Sequence, residues 1–200
     1  MTSDERPPHL EIQDPKLMRA LAHPVRVALI EALGQSETGT LTATEASELL
    51  GESPANCAFH LRTLAKYGFL EEAGGGRGRE RPWRMRYRRF GLATAGPDPE
   101  TRLAAEAAAT IWVDRWLTRA RERLMRTLSH PAEWQEAATA SQTDTYLTAQ
   151  EAEDLGEAMQ RLIEPYRARQ HDASLRPAGS VRFELLLFGY PLTDPPAADR

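Results

Sequence analysis

The sequence predicts an α+β chain that is mainly α: a compact helical segment closed by a hairpin, then a long helix and a small helix-plus-strand C-terminal region. Three observations carry that prediction. Apolar residues recur at helical spacing through the N-terminal third and again beyond residue 98. Two capping signatures, Thr42-Ala43-Thr44-Glu45 and Thr148-Ala149-Gln150-Glu151, mark helix starts. Trp83-Arg84-Met85-Arg86-Tyr87-Arg88 alternates apolar with basic residues, the period of a half-buried strand.

The elements follow in order. Residues 1–14 are polar and acidic, without the apolar core of a signal peptide, and read as a disordered lead-in. A first domain is expected over 15–90. Leu17, Leu21, Val25, Ala28, Leu29 and Leu33 trace one helical face over 15–33, with Pro24 kinking that helix or breaking it in two and Gly34 stopping it. A polar loop runs from Gln35 to Thr40. Thr42 then caps a helix that continues to Leu50 and stops at Gly51. Ser53 caps the next, with Pro54 at its first position and Gly68 ending it after about Tyr67. Cys57, Leu61 and Leu64 form the inward face of this second helix; Asn56, Phe59, Arg62, Thr63 and Lys66 lie off it. Phe69 to Glu72 is a short strand, Gly74, Gly75, Gly76 and Gly78 make a tip, and the alternating stretch returns with Trp83, Met85 and Tyr87 inward.

Gly91 to Pro97 reads as a linker. A C-terminal region is expected over 98–190 and a loose tail over 191–200. Asp98-Pro99 opens a long helix to about Leu128, on which Leu103, Ala107, Thr110/Ile111, Leu117, Leu124 and Leu128 trace a heptad-like seam beside Trp112 and Trp116. That is more apolar surface than one small domain needs. Pairing with a second chain through Leu103, Ile111, Trp112, Trp116, Leu117 and Leu124 is the expectation, and packing on the chain's own first domain is the alternative. Residues 131–147 are ambiguous, with Thr145-Tyr146-Leu147 a possible short strand. Thr148 caps a helix to about Gln170, and Val181 to Gly189 reads as a largely buried strand.

Composition narrows the function. The 200 residues are 41% hydrophobic and 27% charged, an ordinary globular balance. No run of about 18 apolar residues exists to cross a bilayer. The single cysteine, Cys57, excludes an intrachain disulfide and a multi-cysteine metal site, which together with the N-terminus suggests the cytoplasm. The net charge of −4 is unevenly spread: residues 1–90 carry thirteen Lys+Arg against twelve Asp+Glu, and 91–200 carry twelve against seventeen. Seven arginines within 77–89 face one acid, Glu80, making a local field of positive charge.

Two short helices joined by a glycine-containing turn and followed by a basic hairpin are the pattern of a winged helix-turn-helix, and its partner is double-stranded DNA. The start of the second helix then meets base edges in the major groove: Ser53, Pro54, Ala55, Asn56, Ala58, Phe59 and, one turn on, Arg62. Asparagine can bond adenine at two points and apolar groups can touch a thymine methyl. Arg77, Arg79, Arg81 and Arg84 of the wing would reach the minor groove or the phosphates, with one or two of the wing arginines instead pairing with Glu71, Glu72 or Glu80. Cys57 reads as a small buried hydrophobe and His60 as structural or phosphate-contacting. His9, His23, His60, His130 and His171 lack metal-ligand spacing, so no metal or other cofactor is expected.

The stretches LMRALAHPVRVALIEAL, TATEASELLG and SPANCAFHLRTLAKYGFLEEAGGGRGRERPWR resemble ArsR-type winged-helix regulators, within a subgroup combining ANC-FHLR, LAKYGF and GRERPWR. The likeness covers about residues 15–90 and is less specific beyond. It implies a homodimer, a repressor-like role and an operator of two half-sites. Two departures limit it. Founding members sense metals through a Cys-x-Cys pair where this chain has TATEASELL, and Ala58 stands where many members place a DNA-contacting serine. The effector is therefore not carried over; an unidentified small molecule could occupy the C-terminal region. The competing reading is a winged-helix protein-interaction module with an effector-binding C-terminal half. An enzyme is disfavoured, because residues 98–200 hold no phosphate loop, nucleophile elbow or carboxylate–histidine set.

Overall fold

The computed structural model describes residues 10–76, 80–87, 90–92 and 98–193. The chain is mainly helical with a small antiparallel sheet, and it divides into two compact units, residues 1–119 and 120–200.

The first unit begins with a strand, β1 (Leu10–Ile12), paired in parallel with β5 (Phe90–Leu92). The sequence reading puts Leu10–Ile12 in a lead-in and Gly91 and Leu92 in a linker, with Phe90 the last residue of the first domain. Both are too short to show a period, and β1 is fixed instead by burying Ile12 in the core. The apolar face over 15–33 becomes two helices, α1 (Pro15–Leu21) and α2 (Pro24–Gln35). Proline disfavours helical geometry in the residue before it, and His23 is accordingly extended, its Nδ1 accepting from the backbone N–H of Val25 as the cap of α2. Gly34 does not stop α2, which continues to Gln35. The loop from Gln35 ends in a strand that the sequence reading missed, β2 (Thr40–Leu41).

The two helices of the motif form as their caps dictate. In α3 (Ala43–Leu50), Thr42 Oγ1 accepts from the N–H of Glu45 while the Glu45 carboxylate accepts from the N–H of Thr42. Gly51 ends α3 at φ 70°, a left-handed cap that favours glycine. Ser53 caps α4 (Pro54–Lys66), accepting from the N–H of Asn56. The turn between them is pinned by Ser47 Oγ donating to the carbonyl of Glu52 at 2.7 Å. Strands β3 (Leu70–Glu72) and β4 (Trp83–Met85) make the hairpin, and β2 joins the other edge of β4, giving the order β2-β4-β3.

Cys57, Leu61 and Leu64 of α4 are completely buried, together with Leu29 of α2, Phe69 and most of Trp83. This one cluster also takes in Ala104, Ala105 and Ala108 of α5 (Pro99–Thr127), with Trp112 packed half-buried against it. Asp98 caps α5, accepting from the N–H and the hydroxyl of Thr101. Glu31 of α2 fixes the same helix further along. Its carboxylate accepts from Arg115 Nε and Nη2 at 3.0 and 2.8 Å and from Arg119 Nη1 at 2.5 Å.

In the second unit lie α6 (Ala132–Ala137) and α7 (Ala149–His171), the latter capped by the predicted Thr148–Glu151 box. Among the described residues of this unit none is buried. Thr145 to Leu147 forms no strand, and neither does Val181 to Gly189, whose apolar side chains are largely exposed rather than buried. A strand is completed by a neighbour's ladder, and within the described chain none runs beside this segment. The strand expected in the C-terminal region is thus corrected for the single chain.

Candidate nucleic-acid interface

The buried face of α4 decides what its other face offers. With Cys57, Leu61 and Leu64 held in the core, the exposed positions are Ser53, Pro54, Ala55, Phe59, Arg62 and Lys66. Four of these, Ala55, Phe59, Arg62 and Lys66, recur at spacings of four, three and four, one stripe along the helix. Phe59 is 58% exposed, so it is not the core residue its type suggests. The expected contact set is thereby brought together on one surface, apart from Asn56 and Ala58, which are half-buried at its edge.

Asn56 is held in place before any ligand arrives: its Nδ2 donates to Glu52 Oε2 at 2.8 Å. One amide hydrogen and the carbonyl oxygen stay available, the pair that adenine recognition uses. Glu52 is the residue that sequence reading missed. It lies in the turn, where a lone acid ahead of a serine cap carries no pattern.

Behind the stripe, His60 is buried and structural. Its ring lies tilted against that of His23 at a centroid distance of 4.4 Å and meets Phe59 edge-on at 5.1 Å. Its Nδ1 has no hydrogen-bond partner among the described residues. Burial, with His23 and Arg26 adding to it and Glu52 opposing, pushes the His60 pKa below the usual histidine range. The neutral ring therefore backs α4 at neutral pH. Burial likewise raises the Cys57 thiol, so this sulfur is a core atom and not a reactive one.

The wing presents Trp83 inward with Met85 and Tyr87 half-buried, while Arg84 and Arg86 are exposed, as the alternation predicts. Two of its arginines pair with the opposite strand, Arg81 Nη1 with Glu72 Oε1 and Arg84 Nε with Glu71 Oε1, each at 2.8 Å. Such exposed pairs are worth under about 1 kcal/mol, so a phosphate can take over either arginine. At the tip, Gly74 and Gly75 have φ of 74° and 75°, and Gly76 lies so near the Glu80 carbonyl and the Pro82 ring that a Cβ there would overlap both. Arg77 and Arg79 lie outside the described residues.

Of the residues expected to pair two chains, Leu103, Leu117 and Leu124 are exposed along α5. Ile111, Trp112 and Trp116 are half-buried, with Trp112 turned to the chain's own core and its ring 5.6 Å from that of Trp116. The helix thus carries an inner face of small alanines and an outer face of leucines.

Residues 21–73, from the end of α1 to just past β3, match a family described as a helix-turn-helix domain. Among curated proteins nothing matches the chain. The chain carries a helix-turn-helix domain, and such a domain implies double-stranded DNA as partner and a regulatory rather than enzymatic role for that part. No described helix is long and apolar enough to cross a membrane, and no described cluster of three His, Cys, Asp or Glu could hold a metal ion.

Proposed function

We propose that this protein is a sequence-specific transcription regulator of the ArsR-like winged-helix type, a repressor that binds its operator as a dimer. The observation that carries the reading is the solvent-facing stripe Ala55–Phe59–Arg62–Lys66 on the helix of a helix-turn-helix whose opposite face is wholly in the core. Two apolar groups stand at the entry of the stripe and two cations behind them. That order suits base contact at the helix start and phosphate or guanine contact one and two turns on. In this reading Ser53, Pro54, Ala55, Asn56, Ala58, Phe59 and Arg62 meet the major groove. Arg77, Arg79, Arg81 and Arg84 serve the wing on the minor groove or the backbone. Two copies join along the outer face of α5 through Leu103, Leu117 and Leu124, with Ile111, Trp112 and Trp116 behind them.

Selection from a random duplex pool with the full-length protein tests this. The expected result is an enriched palindrome whose half-sites lie about one helical turn, roughly 10 base pairs, apart. Binding to it should fall steeply with salt, on the order of a hundredfold between about 50 and 200 mM if about four phosphates are contacted. Weak, salt-labile binding without any enriched sequence would overturn the assignment.

A further inference from the structure

Glu52 stands where a negative charge works against the proposed partner. It precedes the cap of α4, half-buried, beside the stripe assigned to DNA. The turn fixes its backbone: its carbonyl accepts from Ser47 Oγ at 2.7 Å, and Gly51 before it is the left-handed cap at φ 70°. Its side chain reaches one turn along α4, where Oε2 accepts from Asn56 Nδ2 at 2.8 Å. The backbone of Asn56 is tied as well, its N–H donating to Ser53 Oγ at 3.2 Å. Both ends of the contact are therefore set before a ligand arrives, which lowers the ordering cost of binding.

The chemistry of this pair is directional. A carboxylate accepts hydrogen bonds and, when ionised, donates none, so only the NH2 side of an asparagine amide can face it. Glu52 thus dictates which way the Asn56 amide lies. One Nδ2 hydrogen is taken, and the amide keeps one donor and one acceptor for a ligand. In the major groove adenine shows the complement, the N7 acceptor beside the N6 donor. Guanine shows two acceptors, N7 and O6, and its O6 would stand against the Asn56 carbonyl oxygen. An amide free to rotate could bring both of its N–H donors to guanine; the bond to Glu52 withholds one of them. A negative charge near a helix N-terminus also steadies the helix, but that role by itself leaves base preference untouched.

We propose that Glu52 is a specificity-determining positioning residue, which holds the Asn56 amide so that the recognition helix accepts adenine and rejects guanine at one position of its half-site. The inference rests on the duplex-binding reading proposed above. It gives the acid at this surface a cost, weaker attraction to every duplex, and a matching gain, discrimination between the two purines.

The test uses the full-length protein, first in site selection and then in titrations of single-base variants of the selected duplex. Asn56→Ala marks the position that Asn56 reads. There the wild type should prefer adenine to guanine by on the order of tenfold or more, and an adenine analogue with carbon in place of N7 should lose a similar factor. Glu52→Gln, whose amide donates as well as accepts, should lose most of that preference, keep those at other positions, and bind every duplex more tightly for want of one negative charge. Glu52→Asp keeps the charge on a shorter arm and should lose the preference without the general gain in affinity. Neither variant should change base preference further once Asn56 is alanine. Adenine preference retained by both Glu52 variants, with only thermal stability altered, overturns the positioning role and leaves the regulator intact. An Asn56→Ala variant that selects the wild-type duplex unchanged does the same. A wild-type protein that enriches no sequence overturns both.

Discussion

Single residues of α4 divide sharply between the core and the exposed stripe proposed to meet DNA. Arg62 is exposed and Leu64, two positions on, is fully buried. Arg62→Ala should cost on the order of 1–3 kcal/mol in operator binding and leave unfolding within about 0.5 kcal/mol of wild type. Leu64→Ala should lower stability by about 2–5 kcal/mol through the cavity it opens. Urea unfolding beside a duplex-binding titration of the two variants checks the contrast, which equal effects of both on stability would abolish. His60 gives the site a pH dependence whose sign follows from its surroundings. His23, Arg26 and Glu52 are the charged or titratable groups around it, and the net result is a lowered pKa. The unfolded chain, with an ordinary histidine, then binds a proton more readily than the folded one. Stability is complete above about pH 6.5 and declines as the pH falls below it, with His23 adding in the same direction. Denaturation at a series of pH values from about 7.5 to 5 should show that decline, and His60→Gln should flatten part of it.

Elements behave as their caps and partners allow, which also explains what the sequence could reveal. The boundaries at Thr42, Gly51, Ser53 and Thr148 were legible because a cap is local: a hydroxyl, an N–H three residues on and a returning carboxylate suffice. The exposed stripe of α4 was legible for a related reason, since fixing Cys57, Leu61 and Leu64 inside leaves only one face for Phe59 and Arg62. Strands depend on remote partners. Two residues at Thr40–Leu41 pair because Trp83 and Arg84 arrive beside them, whereas no strand among the described residues runs beside Val181 to Gly189. The Glu31 clasp on Arg115 and Arg119 was equally invisible, being an ion network between residues more than eighty positions apart. The wing depends on close approach of backbone to backbone at Gly76. Gly76→Ala must displace the tip, so under the proposed function it should weaken binding to all duplex sequences alike and leave the sequence preference assigned to α4 unchanged. A changed sequence preference in a repeat selection with this variant would show that the tip reads bases.

At the scale of the whole chain, the two units differ in what holds them. Residues 1–119 contain the buried cluster, from Ile12 to Ala108, and this needs no other molecule. Residues 120–200 have one boxed helix cap, on α7, and exposed apolar side chains but no described buried residue, so their order draws on whatever covers them. A structure completed by a second copy gains stability with protein concentration, and one completed by its own core does not. Hydrogen exchange measured at about 1 and 100 µM chain separates the two cases. The amides of Cys57, Leu61 and Leu64 should exchange slowly and equally at both concentrations, because they open only with the core of the first unit. Those of residues 120–127, on the outer face of α5, should gain protection at the higher concentration, as the proposed pairing of two copies requires. Equal protection of both sets at both concentrations would mean that the second unit is held by the chain itself. Free exchange of residues 120–127 at both concentrations would mean that α5 pairs with no second copy.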